Sequence, residues 1–147
     1  VKAIVQRSGP ASVEVDGEIV GQIEGGLLVY VGVRSEDTEQ DAELLARKIR
    51  HLRIFPDDDG KMNLDVGDTG GQILVVSNFT LYADARKGRR PSYAAAARPE
   101  QADQLYQHFC NHLASLGVTV ATGRFQAMMR VRGENDGPIN IILVTED

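Results

Sequence analysis

The chain has one cysteine, three histidines and no long apolar run, and each shortage excludes something. Cys110 alone closes no intrachain bridge, which argues against a disulfide-stapled secreted scaffold and for a reducing compartment. The longest apolar runs, residues 27–33 and 139–144, have strand length, well short of the ~20 residues that a membrane-spanning helix needs. Residues 1–7 carry neither a long apolar core nor a small-residue cleavage site, so no secretory signal is expected and the cytoplasm is the expected location. Cations are outnumbered as well. With 16 Lys+Arg against 21 Asp+Glu the net charge is −5, too acidic for indiscriminate phosphate binding, so any nucleic-acid contact must be local. The 147 residues fit one domain, taken as 1–147, with enough chain to bury a core without disulfides or metals.

What is present begins with strands. Residues 12–15 and 18–23 alternate apolar and polar around Asp16-Gly17, a strong hairpin signal because both turn positions tolerate positive φ. Residues 27–33 then read as a mostly apolar strand. From Asp37 the period changes: Ala42, Leu45, Ala46, Ile49 and Leu52 fall at helical spacing, Asp37 with Gln40 resembles a capping box, and the helix should end near Arg53. Asp57-Asp58-Asp59-Gly60 reads as a solvated turn, since Lys61 stands where a calcium loop would need an oxygen ligand. Residues 72–82 form a β-rich run, followed by the basic loop Arg86-Lys87-Gly88-Arg89-Arg90-Pro91. Pro99 suits a first helical turn, Ala102, Leu105, Phe109, Leu113 and Leu116 form an apolar stripe, and Gly117 suits the stop. Strands over 118–121, 125–131 and 139–144 complete the set. Tandem hairpins with two main helices favour an α+β fold with largely antiparallel sheets over a doubly wound parallel one.

Familiar catalytic signatures are missing. Ser77 is not in a G-x-S-x-G elbow. His108 and His112 stand four apart on a helix, but the residues between them lack the Glu of a zinc protease and no third ligand is evident, so they read as a helix edge and no metal is expected. His51 sits near a helix end, where it suits the dipole. Gly70-Gly71 precedes a strand and forms no phosphate cradle. Two segments remain: Ser77-Asn78-Phe79-Thr80-Leu81, and Asn135-Asp136-Gly137-Pro138-Ile139-Asn140. Taken singly, each has an ordinary reading, as the outward face of a strand and as a turn.

Together with Ala3-Ile4-Val5-Gln6-Arg7, Gly26-Leu27-Leu28-Val29, Arg53-Ile54-Phe55, Gly60-Lys61-Met62-Asn63-Leu64, Arg90-Pro91-Ser92-Tyr93 and Thr122-Gly123-Arg124-Phe125, these segments resemble the D-aminoacyl-tRNA deacylase family along nearly the whole chain. Two motifs depart from the family pattern: Asn78 stands where Gln is usual in S-Q-F-T-L, and Ile139-Asn140 where Val-Thr is usual after N-x-G-P. Side-chain contacts from Asn78 and Asn140 are therefore not carried over.

The resemblance implies a barrel-like antiparallel core and a homodimer with its active site at the subunit interface. It implies hydrolysis of the ester joining a D-amino acid, or glycine, to the 3′-terminal adenosine of tRNA, without a cofactor, as a proofreading step in translation. By the same resemblance Ser77, Asn78, Phe79 and Thr80 form the catalytic segment, with backbone N–H groups near Phe79 and Thr80 receiving the oxyanion and the substrate's 2′-hydroxyl assisting water. Gly137 and Pro138, joined by a cis peptide and held by Arg7, would enter the partner's site and reject L-aminoacyl substrates. Met129 would also line the substrate site. Arg86, Lys87, Arg89 and Arg90 are candidate tRNA contacts, since they reverse the overall sign locally; a solvated loop is the other reading. Two alternatives stay open: a dimer that binds the tRNA end with altered activity, and an esterase whose nucleophile is the Thr80 hydroxyl, which lacks an evident base.

Overall fold

The computed structural model describes residues 1–146. One long strand organises it. β1 (Lys2–Val15) alternates buried and partly buried side chains in each half, with a break in phase between Gln6 and Pro10, sending Ala3, Val5, Ala11, Val13 and Val15 inward. It turns at Asp16 (φ 51°) and Gly17 (φ 83°), the two positive φ values expected of the hairpin, into β2 (Glu18–Ile23), with which it pairs antiparallel. Its first half also pairs antiparallel with β3 (Gly26–Gly32).

α1 (Glu39–Arg50) follows, buries Ala42, Leu45, Ala46 and Ile49 as expected, and ends at His51. Its cap differs from the Asp37 reading. Thr38 is the N-cap and forms the capping box with Asp41, whereas Asp37 is 6% exposed and its carboxylate accepts from the Arg34 N–H at 2.6 Å while pairing with the Val1 ammonium at 2.7 Å. A carboxylate already committed to an ion pair beneath the sheet is unavailable to a helix terminus one residue later.

The acidic turn is as expected: it joins β4 (Phe55–Pro56) and β5 (Met62–Leu64), with the Asp57 carboxylate accepting from the Asp59 and Lys61 N–H groups and so held below the ordinary carboxylate range, chiefly by the Lys61 bond. β6 (Gln72–Ser77) returns beside β3, and α2 (Pro99–Ser115), burying Leu105, Tyr106, Phe109, Cys110 and Leu113, leads to β7 (Val120–Thr122) beside β6. Both pairings are parallel, which the sequence reading did not anticipate: each helix lies in the crossover that lets neighbouring strands of the sheet run the same way. The fold is nonetheless α+β, with antiparallel ladders predominating and the two helices packed on each other.

The final strand is also different from expectation. Of residues 125–131 only the last two are strand; a turn with Gln126 at φ 63° precedes β8 (Arg130–Val144), which runs antiparallel along both halves of β1. Gly137-Pro138 is therefore not a turn between elements. It lies in an excursion within β8, because Ser8 pairs with Asn135 while Gln6 pairs with Asn140. The sheet order β2-β1-β3-β6-β7 curls back on itself until Gly21 of β2 lies against the Thr122 carbonyl of β7, too close for any side chain at position 21 and nearly closing a barrel.

Candidate active site

The parallel strands end where the chemistry-bearing segment begins. Beyond Ser77 the Asn78 N–H still reaches the Val31 carbonyl of β3 at 2.8 Å, but the chain then leaves the sheet in a 3-10 turn, Phe79–Tyr82. Residues 72–82 are thus a strand that stops at Ser77, and not one continuous run. The reason is Asn78. Its side-chain carbonyl accepts from the Thr80 N–H at 3.1 Å and from the Thr80 hydroxyl, capping the turn. Among the described residues the Phe79 N–H, at the start of that turn, has no acceptor.

The break opens a cavity of about 520 Å³, lined by Ser77, Asn78 and Phe79 together with Tyr93, Phe125 and Met129 among others. Phe79 is 56% exposed and meets the Tyr93 ring edge-on at 5.0 Å. Small residues, Ala96, Ala97 and Ala102, make the room. No Asp, Glu, His, Lys, Arg or Cys is among the lining residues; their polar side chains are Ser77, Asn78, Tyr93 and Gln126. Such a site can bind a flat, partly apolar group and offer N–H donors, but it carries no side chain able to act as a general base near neutral pH.

Four of the residues expected to act together therefore meet: Ser77, Asn78, Phe79 and Met129 line one cavity, with Thr80 directly behind Asn78. Three others do not. Arg7 pairs with Leu27 on β3, whereas the cavity reaches that strand at Val31, four residues or about 13 Å further along. The Arg7 guanidinium donates to the Ile54 carbonyl at 2.9 Å and pairs with Asp136 at 3.1 Å, fixing the excursion that carries Gly137 and Pro138 at that far end. There the Asn135 carboxamide also bonds the Asn140 side chain and the Ile139 N–H. The Gly137–Pro138 peptide is cis, Gly137 has φ 132°, and both residues are exposed.

The basic loop lies beside the cavity, because the Asp84–Ser92 bridge at its base leads directly to Tyr93. Its four cations are exposed but not equivalent. Arg86 forms two side-chain bonds to Asp84, at 2.9 and 2.8 Å, and holds that carboxyl down to about 2. Lys87, Arg89 and Arg90 form no ion pair among the described residues. Elsewhere His108 and His112 approach Glu43 of α1 at 3.5 and 3.8 Å, and no cluster suited to a metal ion occurs among the described residues.

The sequence reading missed Phe125, Gln126 and Met128 of the lining, and its small residues. The run Ala94-Ala95-Ala96-Ala97 beside Tyr93 was the available signal, since a cavity needs small residues on one side.

Comparison with known proteins agrees with this geometry. Residues 4–144 match the family described as D-Tyr-tRNA(Tyr) deacylase. The chain is 57% identical over 143 residues to a D-aminoacyl-tRNA deacylase of Brevibacillus brevis, covering 97% of this chain and 99% of that one. It is 53% identical over 146 residues to that of Desulfotalea psychrophila, covering 99% and 98%. Among solved structures it is similar to the c-Myc DNA Unwinding Element Binding Protein, with TM-score 0.95 and 39% identity over all of both chains. A probable eukaryotic D-amino acid tRNA deacylase shares the fold, with TM-score 0.82 at 17% identity over 97% of each chain. With a break in β6 that builds an uncharged cavity, and with relatives matched end to end, the chain belongs to the D-Tyr-tRNA(Tyr) deacylase family.

Proposed function

We propose that this chain, acting as a single domain in a homodimer, hydrolyses the ester between a D-amino acid, or glycine, and the 3′-terminal adenosine of tRNA. The observation that carries the reading is the cavity itself: roomy, largely apolar, and without an acid or base. The adenosine and the aminoacyl group occupy it, with Phe79 and Met129 as walls. Water adds to the ester carbonyl, the bond to the ribose 3′-oxygen breaks, and free D-amino acid and tRNA leave. The Phe79 N–H receives the developing oxyanion, joined by the Thr80 N–H when the Asn78 carboxamide turns aside; a fixed donor of this kind contributes roughly 3 to 4 kcal/mol. Proton management falls to the substrate's own 2′-hydroxyl. The Thr80 hydroxyl makes a poor nucleophile here, since it donates to a carboxamide that cannot take its proton.

Chirality is read by the partner. Gly137 and Pro138 are exposed and lie at the far end of β1 and β3 from the cavity of their own chain, so they complete a site only in another subunit. Their carbonyl oxygens hold the substrate's amino group where an L side chain would collide. Arg7 positions this loop through Asp136. Among the described residues β8 pairs only with β1, and Ile142 and Val144 are 69% and 49% exposed, which supports an apolar contact between subunits. Lys87, Arg89 and Arg90 hold the acceptor stem, with Arg86 bracing the loop. No described helix is long and apolar enough to cross a membrane, and the task belongs in the cytoplasm, where translation occurs. The test is turnover of D-tyrosyl-tRNA, glycyl-tRNA and L-tyrosyl-tRNA by purified protein: the first two are cleaved and the third is spared. Equal rates on both tyrosyl enantiomers would remove the chiral selection, and tight binding without turnover would favour a tRNA-end-binding dimer.

A further inference from the structure

Half of the chain's 16 cations lie in two short segments, and only one of them has been given a task. The other is the end of α1 and its exit: Arg47, Lys48, Arg50 and Arg53 fall in a stretch, residues 44–56, that contains no acidic residue. Here Leu44, Arg47, Lys48, His51, Leu52 and Arg53 line a shallow groove of about 470 Å³. Arg50 turns away from it, pairing with Asp65 at 3.1 Å and donating to the Leu116 carbonyl at the end of α2. Arg53 is braced by the Asn63 carbonyl and side chain. Arg47 and Lys48 are exposed, and among the described residues neither forms an ion pair. Cations in a last turn do complement the helix dipole, but that accounts neither for Arg53 beyond the helix nor for the exposed Leu44 beside them.

The place of the groove gives it a partner. Ile54, next to Arg53, accepts from Arg7, and the same guanidinium holds Asp136 of the Gly137-Pro138 excursion. The groove thus borders the segment that, on the proposed function, enters the partner's active site, and it is a helix-borne surface instead of a loop. We infer that the groove formed by Arg47, Lys48 and Arg53 binds the RNA backbone beyond the terminal adenosine of a tRNA seated in the partner subunit. This rests on the deacylase reading for the identity of the RNA, and on the groove's charge for its chemistry.

The test compares wild type with an Arg47→Gln/Lys48→Gln variant in three measurements: turnover of D-tyrosyl-tRNA, turnover of 3′-O-D-tyrosyl-adenosine, which lacks the RNA backbone, and binding of uncharged tRNA as a function of salt. Losing two phosphate contacts reduces the slope of log affinity against log salt by about 1.8 and weakens tRNA binding about 60-fold at 0.1 M salt. Turnover of D-tyrosyl-tRNA at sub-saturating concentration falls alongside, while turnover of the adenosine ester is unchanged. Unaltered tRNA binding and salt slope, with wild type active on D-tyrosyl-tRNA, would overturn the groove and leave the deacylase standing. An equal fall on both esters would also overturn it, as a defect of the site. If wild type cleaves neither ester the deacylase reading fails, and uncharged-tRNA binding still decides the groove.

Discussion

Residues 77–81 and 135–140 are both polar interruptions of a strand, yet they differ in what surrounds them. The first faces a cavity made by its own chain: the Asn78 side chain caps Thr80, the Asn78 N–H reaches across to Val31 of β3, and among the described residues the Phe79 N–H has no acceptor. The second is exposed, has no cavity of its own, and is held from behind by Arg7, Asn135 and the flanking ladder with β1. A segment this well braced and this exposed is built to be presented. On the proposed function one region is a receptor and the other an insert, and about 13 Å of strand keeps them apart in a single chain.

Separating subunits should therefore hurt most. Ile142→Asp/Val144→Asp is expected to give monomers by sedimentation, with helix content retained and turnover reduced at least ~100-fold, since a displaced insert misaligns the whole substrate. Next, Arg7→Ala removes the guanidinium that joins Asp136 to Ile54. The expected result is a ~10- to 100-fold loss in kcat/KM on D-tyrosyl-tRNA. The preference over L-tyrosyl-tRNA should shrink as well, and chemical denaturation should report a loss of roughly 1–3 kcal/mol from an orphaned buried partner. Asn78→Ala acts on the receptor alone. Loss of the cap costs about 1 kcal/mol of stability, and kcat falls less than ~10-fold with the enantiomer ratio intact. Thr80→Ala should change kcat only a few-fold, about 1 kcal/mol or less; its abolition in a folded protein would revive the hydroxyl nucleophile.

A control far from both regions uses Cys110. Burial pushes its thiol up to about 12, against a smaller opposing hydrogen bond from Tyr106. With the folded value above the unfolded one, the unfolded chain loses its proton first. Stability is thus unaffected below about pH 9 and falls as pH rises towards 12, by about 1.4 kcal/mol per unit. Denaturation of Cys110→Ala at pH 10 and 11 should show a shallower decline than wild type.

Much of this was legible in the residues. The Asp16-Gly17 hairpin and both helices follow local rules, and the structure keeps them within two or three residues, the first helix ending at Arg50 where Arg53 was expected. Asp37 misled because a Ser/Thr/Asp ahead of a helix is a cap only if its side chain is free, and long-range ion pairing leaves no local mark. The parallel strand pairs, the turn at Gln126 and the position of Gly137-Pro138 within the run of β8 depend on which strands meet, which β1 decides by pairing three partners. The candidate site divides the same way. Part of its lining is one contiguous motif, read by resemblance; the rest comes from Tyr93, which follows the basic loop, and from residues 125–129 on the approach to β8.

The most direct test of one site built from two chains is complementation. A receptor-defective variant, Ala127→Arg, and an insert-defective variant lacking residues 136–139 are each expected to be inactive. Co-expressed, they form mixed dimers in which one site has an intact cavity and an intact insert, and about a quarter of wild-type D-tyrosyl-tRNA hydrolysis should return. Activity no greater than the sum of the two variants, with mixed dimers present, would contradict a shared site.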